Sequence, residues 1–293
     1  MTQAHPIRIP AGDAPITDKL QALIDGQEGP LHVLLEAGTH LCTGLTLRSN
    51  LTLEIAKDAE LRFLPGYELY ATTTVAIVAE ESDRAMMAAR GAENIALIGE
   101  GRIFCNGSTA YSHGDDGEMG TLVASRYRPR ILVLDDCRNV RIEGLRIHDA
   151  PMWTMHFAGC ESISVRNVEV DNNRRMPNTD GIVIDGCRDV DIRNSSFRTA
   201  DDGIVLKTTR REDGSLTGPC ENVRVTDCII ESRSCALKLG TESFSAFRNI
   251  TFEDAFDYFP AWDPGDSWKL DTSYPGCQES YVDAATGPQQ CPG

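Results

Sequence analysis

Residues 137–147 read CRNVRIEGLRI, and the string returns with variations as CESISVRNVEV (160–170), CRDVDIRNSSF (187–197) and CENVRVTDCII (220–230). In each copy two apolar residues stand one apart: Val140 and Ile142, Ile163 and Val165, Val190 and Ile192, Val223 and Val225. A period of two belongs to a strand with one buried face, not to a helix. Each copy starts at a small polar residue, Asn139, Ser162, Asp189 or Asn222, and further copies start at Asn50, Asn94 and Asn249. Residues of the Asn type tolerate the left-handed backbone region and can stack in a ladder at a repeated bend. From Asn139 the starts are 23, 27, 33 and 27 residues apart, whereas the earlier steps of 44 and 45 read as about two units each. Irregular repeats of this length, without intervening helices, predict an all-β solenoid: a right-handed parallel β-helix. The L-x-x-L-x-L pattern of a leucine-rich repeat is absent.

The solenoid is expected over residues 1–256. A short helix at about 16–26, with Thr17 as N-cap, should cover its first coil. Residues 106–130 lack alternation and read as a long loop over one face. From 257 to 293 the pattern stops, and five prolines and two of the three tryptophans (Trp262, Trp268) follow. That stretch reads as an irregular, non-homologous or truncated tail, which leaves a solenoid edge open to self-association.

The chain has 293 residues and a formal charge of −16, which argues against nucleic-acid binding. No apolar run is long enough to span a membrane. The start shows no secretory leader, so the expectation is a cytoplasmic protein, or a secreted one if a leader has been lost. Cys137, Cys160, Cys187 and Cys220 precede the repeat starts by two residues. Without CxxC or zinc-spaced His they read as stacked buried thiols, and no metal or organic cofactor is implied.

Two acidic motifs interrupt the pattern, NTDG at 178–181 and ADDG at 200–203. Asp180 and the Asp201–Asp202 pair are about one coil apart and should lie on neighbouring strands, about 4.8 Å apart along the axis. Carboxylates so close repel, which raises at least one pKa and leaves a proton donor beside an ionised base. Glycosidic cleavage uses that combination.

NTDG, DDGIVLK and the coil string RPRILVLDDCRNVRIEGLRIHDAPMWTMHFAGC resemble glycoside hydrolase family 28, the polygalacturonase and rhamnogalacturonan hydrolase family, over about residues 15–255. The resemblance implies inverting hydrolysis of a pectin-type saccharide. Asp201 would be the general acid, while Asp180 and Asp202 hold and deprotonate the attacking water. Asn178 would orient its neighbours, and Lys207 would meet a sugar hydroxyl or carboxylate. The family's Gly-His-Gly is replaced here by SRSCALKLGTES, with Cys235 near the position of the His. Lys238 and Glu242 are the expected substitutes, and His156 is the nearest other imidazole. The family's Arg-Ile-Lys motif is not found; Arg174 and Arg175 are the alternative positive charges. A non-catalytic carbohydrate-binding β-helix and a calcium-dependent pectate-lyase-like enzyme remain open.

Overall fold

The computed structural model describes residues 5–112, 121–254 and 256–257. Three sheets of stacked, parallel strands wind into a right-handed β-helix. The first sheet has nine strands, from Ile7–Ile9 to Phe247–Glu253. The second runs from Gly38–Cys42 to Phe256–Asp257, and the third from Leu45–Thr46 to Leu237–Ser243. Coil pairing thus continues through Asp257; the irregular tail expected beyond it lies, from residue 258, outside the described residues.

The repeat starts read from the sequence fall in register. Val140 stands beside Ile163, Ile163 beside Val190, and Val190 beside Val223. These residues and their partners two positions on are almost wholly buried, each side chain contributing roughly 1.5–3 kcal/mol by leaving water. Asn50, Asn94, Asn139, Ser162, Asp189, Asn222 and Asn249 all have φ between 53° and 60°. Side-chain bonds link them in two runs, Asn50–Asn94–Asn139 and Asp189–Asn222–Asn249, on either side of Ser162. The Asn94 amide donates to Asn50 Oδ1 (2.8 Å) and that of Asn139 to Asn94 Oδ1 (2.5 Å). Asn222 donates to Asp189 (2.8 Å) and Asn249 to Asn222 (2.9 Å). The four repeated cysteines stack as buried thiols; Cys160, Cys187 and Cys220 bond to main-chain carbonyls of preceding strands. Burial pushes the Cys220 thiol up to about 11.

Three expectations are corrected. The steps of 44 and 45 residues are single coils, not double ones, because Leu51 pairs directly with Ile95 and Ile95 with Val140. The extra length leaves the coil as excursions. One carries strand Thr74–Ala79, folded antiparallel on Ser82–Arg90. The other carries a two-stranded pairing of Tyr111–Ser112 with Val123–Ala124, so 106–130 is not simply a loop, and its last residue opens strand Arg130–Asp135. Thr17 is not an N-cap: helix Thr17–Gly26 begins without a side-chain cap. The Thr17 hydroxyl instead accepts the Thr43 amide (2.8 Å) and donates to Cys42 Sγ, tying the helix to the coil that Leu20 and Ile24 cover. No helix among the described residues is long and apolar enough to cross a membrane.

The third sheet positions the site. Its outward-facing row Val133, His156, Val183 and Val205 is in register and buried. Met152, Trp153 and part of the Thr74–Ala79 strand pack over its centre. On the other side, the loop after Thr208 reaches back so that Arg211 binds Asp135 and Asp136. NTDG and ADDG lie at the turn leading into this sheet.

The ladder corner can be tested with two substitutions at Asn139. Glycine keeps the left-handed backbone while losing the ladder bond; valine also forces a β-branched residue into that region, at about 1–2 kcal/mol. Urea unfolding should show N139V less stable than N139G by that amount. Equal losses would show that the hydrogen bond alone sets the value of the corner.

Candidate active site

NTDG and ADDG occupy successive coils at the turn before third-sheet strands Ile182–Asp185 and Ile204–Thr208. The Gly181 amide donates to the Asp202 carbonyl (3.0 Å), which places Asp180 and Asp202 on adjacent rungs. The glycine after each aspartate is a steric requirement. A Cβ on Gly181 would lie 2.5 Å from the Gly203 carbonyl oxygen, and one on Gly203 would lie 2.7 Å from that of Ala236. Any side chain there would push the coils apart and separate the carboxylates.

The three carboxyl groups have different surroundings. Asp180 is 3% exposed, and its Oδ1 is buried without a hydrogen-bond partner among the described residues. Burial, followed by the charges of Asp201 and Asp202, holds its pKa well above the ordinary carboxylate range; Lys207 and Lys238 oppose the shift. Asp201 is only partly buried, and its Oδ1 accepts the Asp202 amide (3.0 Å). Burial and the adjacent Asp202 raise its pKa also. Asp202 is 2% exposed and forms an ion pair, its Oδ2 2.8 Å from Lys238 Nζ and its Oδ1 3.0 Å from the Ser234 hydroxyl. The backbone is pinned as well: the Thr199 and Ser232 hydroxyls both donate to the Asp201 carbonyl (2.5 and 2.7 Å).

Asn178 sits in the left-handed region (φ 58°), and its Oδ1 accepts Arg128 Nη2 at 2.7 Å. Arg128 is buried and also donates to the carbonyls of Pro151 and Pro177, so it clamps the segment that leads into Asp180. Asn172 braces the same segment from inside through Thr154 and the Thr179 carbonyl. Arg128, Asn172 and Ser234 were not identified from the sequence. The Ser in SRSC is the only one with a local signal, being one coil above ADDG.

Lys238 takes the place predicted for a cationic neighbour of the aspartates. Cys235 lies one rung above Asp202, its carbonyl accepting the Gly203 amide (2.8 Å). Lys207 and Glu242 pair with each other at 2.5 Å. Arg174 is held by Asp171 and Glu231 (2.8 and 3.0 Å) and is not left over for substrate. Arg175 is exposed, on the segment tied through its carbonyl to Leu122.

His156 is a correction. It is fully buried, its Nδ1 accepting from Arg130 (2.7 Å) and its Nε2 facing Asp185 (3.3 Å). Arginine is always a donor, so the neutral ring carries its proton on Nε2. Burial lowers the imidazole pKa. The ring links a buried guanidinium to a buried carboxylate behind Trp153 and does not reach substrate.

The raised pKa of Asp180 has a consequence for stability. Its folded value exceeds the ordinary 3.8, so above that pH the folded state binds more protons than the unfolded one, and this carboxyl withdraws stability as pH rises. D180N should therefore melt higher than wild type at pH 7, with the difference shrinking as the pH falls toward 4. A variant melting at or below wild type at pH 7, with a gap independent of pH, would contradict the buried, proton-holding carboxyl.

Known proteins resemble this chain in sequence and in fold. The model of glycosyl hydrolases family 28 matches residues 57–232. A Vitis vinifera protein named "Probable polygalacturonase" is 25% identical over 243 residues, 78% of this chain and 48% of that protein. Polygalacturonase QRT2 of Arabidopsis thaliana is 31% identical over 98 residues, 33% of this chain and 20% of that one. The chain spans about half the length, or less, of these curated relatives. Among solved structures, an exopolygalacturonase from Thermotoga maritima superposes with a TM-score of 0.71 at 23% identity, over 86% of this chain and 67% of that one. The polygalacturonase of Erwinia carotovora gives 0.69 at 18% identity, over 88% and 72%. These two likenesses carry the fold. The family match spans more than half of the chain and contains both aspartate motifs: the chain belongs to glycosyl hydrolase family 28.

Proposed function

We propose that this chain hydrolyses O-glycosidic bonds of pectin-type saccharides, galacturonan or rhamnogalacturonan-like, with inversion at the anomeric carbon. The observation that carries the reading is the division of labour among the three carboxyls. Asp201 is the partly open one with a raised pKa, as befits an acid that must hold a proton until the leaving oxygen takes it. Asp202 is ion-paired with Lys238 and serves as the base that accepts a proton from water. That water attacks the anomeric carbon from the face opposite the leaving group. Asp180, with one oxygen unpartnered, holds the water against Asp202. The family match and the polygalacturonase names of the relatives support the substrate class.

The test follows product by NMR during digestion of galacturonan and rhamnogalacturonan oligosaccharides. The first anomer released should be the inverted one. D201N should lose about 10²–10⁴ in kcat with its melting curve intact. Because the acid must be protonated, wild-type kcat should fall as pH rises through the raised Asp201 pKa, and the ordinary value of 3.8 should lie below that limb. Wild-type turnover by D201N would overturn the role of Asp201 as the acid, whereas saccharide binding without product, unchanged in D201N, would replace the hydrolase with a binding module.

A further inference from the structure

Lys207 stands on strand Ile204–Thr208, near enough to the aspartates for its charge to act on Asp180. Its ammonium lies 5.1 Å from the centre of the Trp153 ring and 2.5 Å from Glu242 Oε2. The two partners are unequally exposed: the Lys207 side chain is 7% accessible and that of Glu242 39%. The cation is therefore inside and the anion outside. Burial alone would raise the Glu242 pKa, but the bond to Lys207 holds it below the ordinary value, so this carboxylate is charged when substrate arrives. Nearby positive charges are similarly committed, Lys238 to Asp202 and Arg174 to Asp171 and Glu231.

A sugar entering beside this pair meets a carboxylate, not an ammonium. A uronate ring would place like charges together, a repulsive element of the kind that sets specificity. A neutral ring can donate its hydroxyls to Glu242 as charge-assisted hydrogen bonds. We propose that Glu242 is a specificity-determining residue: by occupying Lys207 it makes this subsite select an uncharged sugar or an esterified uronate over a free uronate. The inference rests on the hydrolase reading for its substrate class and assigns the charge of one sugar within that substrate.

The experiment compares galacturonate oligosaccharides with their methyl esters of equal length, using wild type, E242Q and E242D. Wild type should favour the ester in kcat/KM by tenfold or more. E242Q, which releases the ammonium of Lys207, should move that ratio at least tenfold toward the acid. E242D, which keeps the charge, should stay near wild type and so controls for folding. A wild type that prefers the acid, or an E242Q that weakens both substrates with an unchanged ratio, overturns the proposal. The same two ligands titrated calorimetrically into D201N and D201N/E242Q give the ratio without turnover. Silence of wild type on both substrates would thus refute hydrolysis, while the binding ratio still decides the role of Glu242.

Discussion

In-register stacking of coils is the constraint on which the rest of this molecule depends. Parallel strands lie about 4.8 Å apart, and each coil buries its apolar face only against its neighbours. The register is held at a corner where Asn, Asp or Ser adopts the left-handed backbone, the Asn and Asp side chains linking neighbouring rungs. A one-residue slip would turn Val140, Ile163, Val190 and Val223 outward together. The same register carries Asp180 onto the rung beside Asp202, so the carboxyl cluster is a by-product of the packing repeat. Gly181 and Gly203 let the two rungs close where the carboxylates stand.

The outer face of the third sheet shows how the fold surrounds this strained electrostatics with compensation. Trp153, Met152 and the Thr74–Ala79 strand seal it with apolar surface. Beneath them, Arg130, His156 and Asp185 form a buried polar chain, and Arg211 crosses to Asp135. Breaking such a chain by removing one member costs far more than the chain as a whole contributes. Thr209 and Thr217 complete the hydrogen bonding of Asp185, whose pKa is lowered: burial opposes ionisation, but His156 and the two threonines outweigh it. At Asp180 the opposite holds, with an acceptor left open and a proton retained. Two buried aspartates five residues apart therefore have opposite charge preferences.

Strands were legible in the sequence because period two and the polar corner recur locally. The aspartate site was legible because a coil converts sequence spacing into proximity, and 21 or 22 residues is one coil here. Coil counting failed at 44 and 45 residues because the excursions themselves contain strand-like runs such as TVAIVA at 74–79. Of the contacts that were missed, that of Arg128 crosses a long separation without a periodic signal, while that of Ser234 is a one-coil step among coils of unequal length. Arg128 meets Asn178 50 residues away, and Ser234 meets Asp202 32 residues away. His156 looked available beside Trp153, but Arg130 and Asp185, 26 and 29 residues distant, close around it. Thr17 had the composition of a cap, and its hydroxyl was taken by Cys42 and Thr43 across the first coil.

Stacking on adjacent coils leaves two of three neighbouring carboxyls, Asp180 and Asp201, holding protons above their ordinary range. Carboxyl-¹³C NMR titration of aspartate-labelled protein, with D180N, D201N and D202N used for assignment, tests it most directly. The signals of Asp180 and Asp201 should titrate above the ordinary 3.8, with Asp180 the higher, and D202N should lower both. Titration of both at or below the ordinary value, unaffected by D202N, would contradict it.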